Sequence, residues 1–468
     1  MAQTSKSIRQ DRSIIVIEQR GTSRSNALCP SLSREFNTIS AQSLSEEEAT
    51  KRSREVVADC FDELRAEGRD PDGYTNLQNA LDIRDVRQAL GVEVWNVWGF
   101  SYGTALAQEV LRQDGDAIRT IVFDGSVPLD FYWSEDSIEN YIRTVGLLDG
   151  LCKSQPQCAD EFGDLSQLYR DAFARLVVNP IDLSAGGRTP PHTDFIFDAA
   201  DLSDLLFGLL YDPGNYEIVP LLLSSIADED PAVAEAIFRA TLPQLLFSSI
   251  DYGTYFAIAC RMKTRSSREH MAYRLESADS SGAFDLGVGL AEVCSGLQLS
   301  PAAAEQLEPI SSPKPALFLS GQLDPITPPH FAEHVAAGFP NAQSVVLQGE
   351  SHGVSATECG LELVQRFLKD PLSKLDTQCT ESTAPLRFAA NITPSAATRW
   401  LLMLNRGLFG VQRAGQKIIP ALLTALIGLL AITGHFARND SGSRRTRSHA
   451  WRSISSMKAS PPARGVRS

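Results

Sequence analysis

Residues 92–112 constrain the fold more than any other stretch. A short apolar run at 94–98 breaks at a glycine-flanked turn, Gly99-Phe100-Ser101-Tyr102-Gly103, and the chain resumes as a helix in which Leu106, Val110 and Leu111 recur at helical spacing. Strand, turn, helix is the order that matters. Further apolar runs at 120–123, 316–319 and 344–347 read as strands, with a helical segment at 331–338 between the last two. Upstream, the β-branched run at 13–17 reads as a buried strand ending in a glycine-marked loop, and 44–68 and 74–90 read as helices, the latter stopped by Gly91. Alternation of this kind predicts an α/β protein with a mostly parallel sheet flanked by helices. Between Asp130 and Leu307 the alternation gives way to helical stretches such as 202–210 and 218–226, which predicts a helical insertion, or cap. No internal repeat is present.

At 468 residues the chain is too long for one ordinary core, so two or three units are expected. The apolar fraction of 43% and charged fraction of 21% are those of a globular protein. A net charge of -14 hides an asymmetry: from Arg399 onward the chain is basic, with Asp440 its single acid, and the body before it is acidic. An acidic body lacks the clustered Lys and Arg that phosphate-backbone binding requires, which excludes nucleic acid as an expected partner.

The cysteines are Cys29, Cys60, Cys152, Cys158, Cys260, Cys294, Cys359 and Cys379, with no CxxC among them. Pairing each with its sequence neighbour is one of 105 connectivities, and unpaired buried thiols are the alternative. If bridges form, the compartment is oxidising. No signal peptide is visible at the start. Near the other end, 418–434 (IIPALLTALIGLLAITG) is uncharged and just long enough to span a bilayer, with Arg438, Arg444, Arg445, Arg447 and Arg452 beyond it. The positive-inside bias then predicts a membrane anchor, a cytoplasmic basic tail and a catalytic body outside. A buried or amphipathic helix is the other reading of that segment.

The turn at 99–103 fits G-x-S-x-G, the pattern of a nucleophile elbow. Alone it is weak, because glycine and serine are common; its place between a predicted strand and a predicted helix is what the mechanism requires. A serine hydroxyl needs a base to take its proton and a third group to orient that base, in the chain order Ser, acid, His. Asp324, in Ser320-Gly321-Gln322-Leu323-Asp324-Pro325, leaves the carboxyl end of a predicted strand, although an Asp before Pro is also common turn chemistry. His352, in Gly349-Glu350-Ser351-His352-Gly353, follows the last predicted strand. His330 and His334 lie at i, i+4, but Phe331 rather than Glu follows His330, so no HExxH zinc site is read. The expected catalytic set is Ser101, Asp324 and His352, acting by acyl transfer to water, with no metal or organic cofactor.

These motifs resemble the serine peptidases that include prolyl aminopeptidases and secreted tripeptidyl aminopeptidases, within the α/β-hydrolase superfamily. The resemblance covers residue 14 to about Cys379: EQRGTSRS at 18–25, where the family usually has DQRGTGxS, DIRDVRQALG at 82–91, GFSYGT at 99–104, Asp124-Gly125, GQLDPITP at 321–328 and ESHGV at 350–354. It implies an α/β-hydrolase fold with a helical cap, a peptide substrate with a free amino terminus, Ser101, Asp324 and His352 as the triad, and the Tyr102 backbone N–H as an oxyanion donor. A carboxylic ester is the alternative substrate, and a membrane-tethered binding protein the alternative from another class. The implied division is a core segment at 1–130, a cap at 131–307, a second core segment at 308–398, and a connector, membrane helix and tail at 399–468. One departure stands out. The family begins with further strands and an HGGPG-type loop that supplies the second oxyanion donor, and only about a dozen residues precede the run at 13–17 here. Loss of such a donor costs about 100- to 1000-fold in turnover. The expectation is a chain missing an upstream piece or, failing that, a decayed homologue.

Overall fold

A computed structural model of the chain describes residues 8–23, 25–40, 42, 44–182, 196–228, 234–235, 250–262, 288–381 and 388. Helices α1 (Leu32–Ser40), α2 (Glu46–Ala66) and α3 (Asn76–Ala89) come first. Ser45 caps α2 by accepting from Glu48 N, and Thr75 caps α3 by accepting from Gln78 N, which satisfies one orphan donor at each start. Beyond α3 the chain turns at Gly91, whose φ of +66° is costly for other residues. Strand β1 (Trp95–Phe100) then runs into α4 (Tyr102–Asp114), and β2 (Ile118–Asp124) follows.

The next part of the chain is helical: α5 (Trp133–Lys153), α6 (Pro156–Phe162), α7 (Leu165–Val178), α8 (Ala199–Leu210) and α9 (Val219–Ala227), relieved by a two-residue antiparallel pair, β3 (Ile181–Asp182) with β4 (Ile196–Phe197). Their apolar faces close on a core that includes Leu148, Leu176, Leu202, Leu206 and Leu222. Helices α10 (Tyr252–Ala259) and α11 (Val288–Ser295) pack instead against α1 and α2, around Val57, Phe61, Phe256 and Val293. The chain then returns to the sheet with β5 (Ala316–Gly321), α12 (Pro329–Ala336), β6 (Ala342–Leu347) and α13 (Glu358–Lys369).

Strands β1, β2, β5 and β6 lie in that order, every pair parallel. Side chains alternate along them: Ile121, Phe123 and Phe318 face α3, α4 and α12, whereas Val122, Leu317 and Leu319 face α13. The central strands β2 and β5 are therefore dry on both faces, as a parallel sheet demands. Each fully buried Leu, Val or Phe contributes about 1.5–3 kcal/mol. Register pairs Phe100 with Asp124 and Asp124 with Leu319, and β5 ends at Gly321 opposite Leu347, so the carboxyl ends of all these strands open at one edge.

Residues 13–17 form no strand, which corrects the sequence expectation. Ile14, Ile15 and Val16 are 40%, 43% and 79% exposed. A β-branched run becomes a strand only when a neighbour supplies ladder hydrogen bonds and a face to cover it, and no strand pairs with this run among the described residues. The outer edge of β1 is likewise unpaired among them, with Trp98 and Phe100 each about two-fifths exposed.

The cysteines are joined Cys29–Cys60, Cys152–Cys158, Cys260–Cys294 and Cys359–Cys379, each with its sequence neighbour. No described helix is long and apolar enough to cross a membrane, and the predicted span at 418–434 lies outside the described residues.

Candidate active site

Ser101 occupies the single-residue corner between β1 and α4, with φ +53° and ψ −129°. A non-glycine residue held there costs on the order of 1–3 kcal/mol and persists only where its surroundings enforce it. They do. Ser101 N donates to Asp124 O (2.9 Å), which extends the β1–β2 ladder by one rung. Ser101 O accepts from Thr104 N (2.8 Å) and Thr104 Oγ1 (2.6 Å), and Thr104 Oγ1 accepts in turn from Val127 N (2.8 Å). A Cβ at residue 99 would stand 2.4 Å from Gly103 O, so Gly99 lets the strand and helix backbones touch, whereas a Cβ at Gly103 would meet nothing within 4 Å. Of the two motif glycines only the first is demanded by local packing. Ser101 sits at the N-cap position of α4 and makes no side-chain cap bond, so its hydroxyl is not spent on the helix. Tyr102 opens α4, where N–H groups have no intrahelical acceptor, and its N–H donates to nothing among the described residues.

Asp324 lies in the turn after β5, fully buried. Its Oδ1 accepts from Ile326 N and Thr327 N (both 2.8 Å), and its Oδ2 accepts from Thr327 Oγ1 (2.7 Å) and faces His352 Nδ1 at 2.9 Å. Burial pushes its pKa up, but the His352 charge and hydrogen bond, with the Thr327 donors, outweigh burial and hold it below the usual carboxylate value. For His352 burial pulls the pKa down, and the charge and hydrogen bond of Asp324, with a smaller pull from Asp124, raise it above the ordinary 6.5. The two shifts agree: the carboxylate and the imidazolium stabilise each other. With Nδ1 engaged, Nε2 carries no hydrogen bond among the described residues.

Three backbone approaches make this possible. A Cβ at Gly321 would lie 2.0 Å from Ser351 O, so only glycine lets the end of β5 touch the histidine loop. A Cβ at Gly125 would press on Thr327 Oγ1 and His352, and Gly353, at φ +90°, brings the same loop onto the ring of Phe100. The His352 ring packs at 4.9 Å from Phe100, the residue preceding Ser101, and at 5.3 Å, edge to face, from Tyr211 at the end of α8. Behind it, Asp124 at the end of β2 accepts from Ser355 N (2.9 Å) and from Ser355 Oγ. Its Oδ1 is buried without a partner among the described residues, and burial raises its pKa.

Ser101, Asp324 and His352 therefore emerge at one sheet edge. Asp324 and His352 share a hydrogen bond; Ser101 and His352 share none in this structure. His334 pairs with Asp130 at the surface (Nε2–Oδ1 3.0 Å), His330 is exposed, its pKa lowered chiefly by partial desolvation, and no cluster of metal-ligating side chains occurs among the described residues. In the 18–25 loop, Arg20 forms a two-pronged pair with Asp82 (2.6 and 2.5 Å), and Gly21 O accepts from Thr254 Oγ1 (2.7 Å), which fixes the loop on α3 and α10. Sequence reasoning missed Thr327, Asp124, Ser355, Phe100 and Tyr211 as neighbours of the pair. Asp124, Phe100 and Thr327 stood inside the quoted motifs at 124–125, 99–104 and 321–328, whereas Ser355 and Tyr211 carried no signal.

Family models match the two stretches that build the sheet. The family model described as alpha/beta hydrolase fold matches residues 9–150, and that described as TAP-like protein matches residues 285–379. The chain has the α/β-hydrolase fold with a parallel sheet. It is 24% identical over 319 residues to the protein YuaR of Escherichia coli (strain K12), named provisionally as a hydrolase; the match takes in 64% of this chain and 61% of that protein. The chain thus spans about three-fifths of that relative's length. Among solved structures it matches a thermophilic esterase from Thermogutta terrifontis (15% identity, TM-score 0.29, 64% of this chain and 74% of that one). It also matches the meta-cleavage product hydrolase of Pseudomonas fluorescens IP01 (11% identity, TM-score 0.30, 64% and 72%). With scores so low, the fold assignment rests on the strand order and the family models.

Proposed function

We propose that this chain is a serine hydrolase in which Ser101 is the nucleophile, His352 the general base and Asp324 the group that orients and charges the base. The observation that carries the reading is the Asp324–His352 pair at 2.9 Å, set at the same sheet edge as a serine in a strained corner whose hydroxyl caps nothing. In the proposed cycle His352 Nε2 takes the Ser101 proton as Oγ attacks a carbonyl carbon, and the proton then passes to the leaving group. A water molecule, deprotonated by the same imidazole, releases the acyl group and restores Ser101. Tyr102 N–H is the oxyanion donor we assign.

We further propose a peptide substrate with a free amino terminus, cleaved to release short N-terminal peptides or residues. The motif resemblance at 321–328 and 350–354 and the TAP-like match support this choice. Turnover of tripeptidyl and prolyl arylamides, compared with acyl nitrophenyl esters, tests it. Arylamide cleavage that is abolished by blocking the substrate amine is the expected result, and ester-only turnover overturns the peptide assignment while leaving the serine chemistry in place. The same reading puts the body in an oxidising compartment outside the cytoplasm, anchored by 418–434; the four disulfides favour it. Protease accessibility of the body on intact cells tests that placement.

A further inference from the structure

The turn that carries Asp324 is held from its far side by the helical part of the chain, through three separate side chains. Arg143 of α5 donates Nη2 to Gln322 O (2.8 Å), Asn140 of α5 donates Nδ2 to Ile326 O (3.3 Å), and the Tyr216 hydroxyl, in the 3₁₀ turn Pro213–Ile218, faces Leu323 O at 3.1 Å. Leu323 itself, fully buried, belongs to the core of α5–α9 rather than to that of the sheet. The base loop is seized by the same element. Leu210 O, at the C-terminus of α8, accepts from Ser351 Oγ (2.7 Å) and from the Tyr216 hydroxyl (2.7 Å), and one residue on, Tyr211 lays its ring edge against His352.

One buried phenol thus bridges the acid turn and the end of α8, and α8 bridges to the base. Tyr216 is fully buried, and burial raises its pKa, so it remains a proton donor throughout the working range. Its single proton, shared between two carbonyls, locks the spacing of the two loops on which the 2.9 Å Asp324–His352 contact depends.

We propose that Tyr216 is a positioning residue that sets the geometry of the Asp324–His352 pair by tying the acid turn to α8, so that the helical segment is part of the base's support and not only a cover over it. This rests on the hydrolase reading for its consequence in rate, but the geometric claim stands apart from it. The ionisable groups that act on or touch His352 are Asp324 from the β5 turn, Asp124 from β2 and Tyr211, which follows α8.

The test uses the full chain with 15N-labelled histidine, following the imidazole titration of His352, assigned by its disappearance in His352→Gln. Tyr216→Phe removes only the hydroxyl. The expected result is a lower His352 pKa, because Asp324 no longer holds its raising contact at full strength. The fluorophosphonate labelling rate per folded molecule should also fall roughly 2- to 10-fold, the range a lost neutral hydrogen bond supplies. Tyr169→Phe deletes another hydroxyl of the helical core, 3.4 Å from Ser203 Oγ and away from the acid turn, and should change neither reading. An unaltered His352 titration in Tyr216→Phe, or the same shift in Tyr169→Phe, overturns the proposal. Should Tyr216→Phe fail to fold, Arg143→Met removes the bond to Gln322 O and is read in the same way. Absence of labelling in the wild type would refute the hydrolase reading alone, since the titration still decides the role of Tyr216.

Discussion

Replacing Asp324 by Asn keeps shape and volume and removes one charge, and the hydrogen bonds decide the consequence. The carboxylate satisfies four contacts: two backbone N–H groups on Oδ1, and Thr327 Oγ1 with His352 Nδ1 on Oδ2. An amide has one oxygen, and keeping it against Ile326 N and Thr327 N leaves the NH2 facing Thr327 and His352. The opposite flip sets an NH2 against two N–H donors, which is worse. An NH2 pointed at Nδ1 selects the tautomer that carries its proton on Nε2, and such an imidazole cannot accept from Ser101. Loss of the correct tautomer costs about 10⁴-fold, or roughly 5 kcal/mol of barrier. The pH dependence gives a second reading. Labelling needs a neutral imidazole, so the wild-type rate falls as pH drops through a His352 pKa raised above 6.5. Without the Asp324 charge, burial dominates and the acid limb of Asp324→Asn moves to lower pH. The assay is the second-order rate of fluorophosphonate labelling against pH, normalised to folded protein by near-ultraviolet circular dichroism. A loss below about 10-fold, or an acid limb that does not move, refutes the reasoning.

The same geometry sets other outcomes. Gly99→Ala should lower the melting temperature sharply or prevent folding, because its Cβ meets backbone at 2.4 Å, while Gly103→Ala, open on all sides, should fold like the wild type; thermal melts of the pair decide this. Reduction with dithiothreitol should destabilise the protein by about 2–4 kcal/mol per bridge, most for Cys260–Cys294, which closes a 34-residue separation, and least for Cys152–Cys158, which closes 6. Denaturant titrations of Cys260→Ala/Cys294→Ala and Cys152→Ala/Cys158→Ala check the order. Arg20→Met should cost about 1 kcal/mol or less, since both partners in the Asp82 pair are about one-third exposed; a double-mutant cycle measures it.

What could be read beforehand was what local chemistry writes down. The Gly99–Gly103 corner, the loops of Asp324 and His352 and the stop at Gly91 announce themselves within a few residues, because strained turns and strand ends restrict which side chains fit there. The run at 13–17 misled because β-branched residues report a willingness to pair, while the neighbour that completes a strand is written elsewhere. Tyr216, Arg143 and Asn140 were invisible for the same reason. Each reaches a backbone carbonyl more than a hundred positions away, and carbonyls leave no trace in residue identity. Phe100 lay inside the motif, but its contact with His352 depends on Gly353 closing from another loop.

The most direct test of the central claim is covalent. Incubated with a fluorophosphonate and digested, the protein should yield one modified peptide, with the added mass on Ser101, and the label should vanish in Ser101→Ala and fall steeply in His352→Gln. A wild-type protein that stays unlabelled while folded, or one labelled equally well after Ser101→Ala, would contradict the assignment of Ser101 as nucleophile.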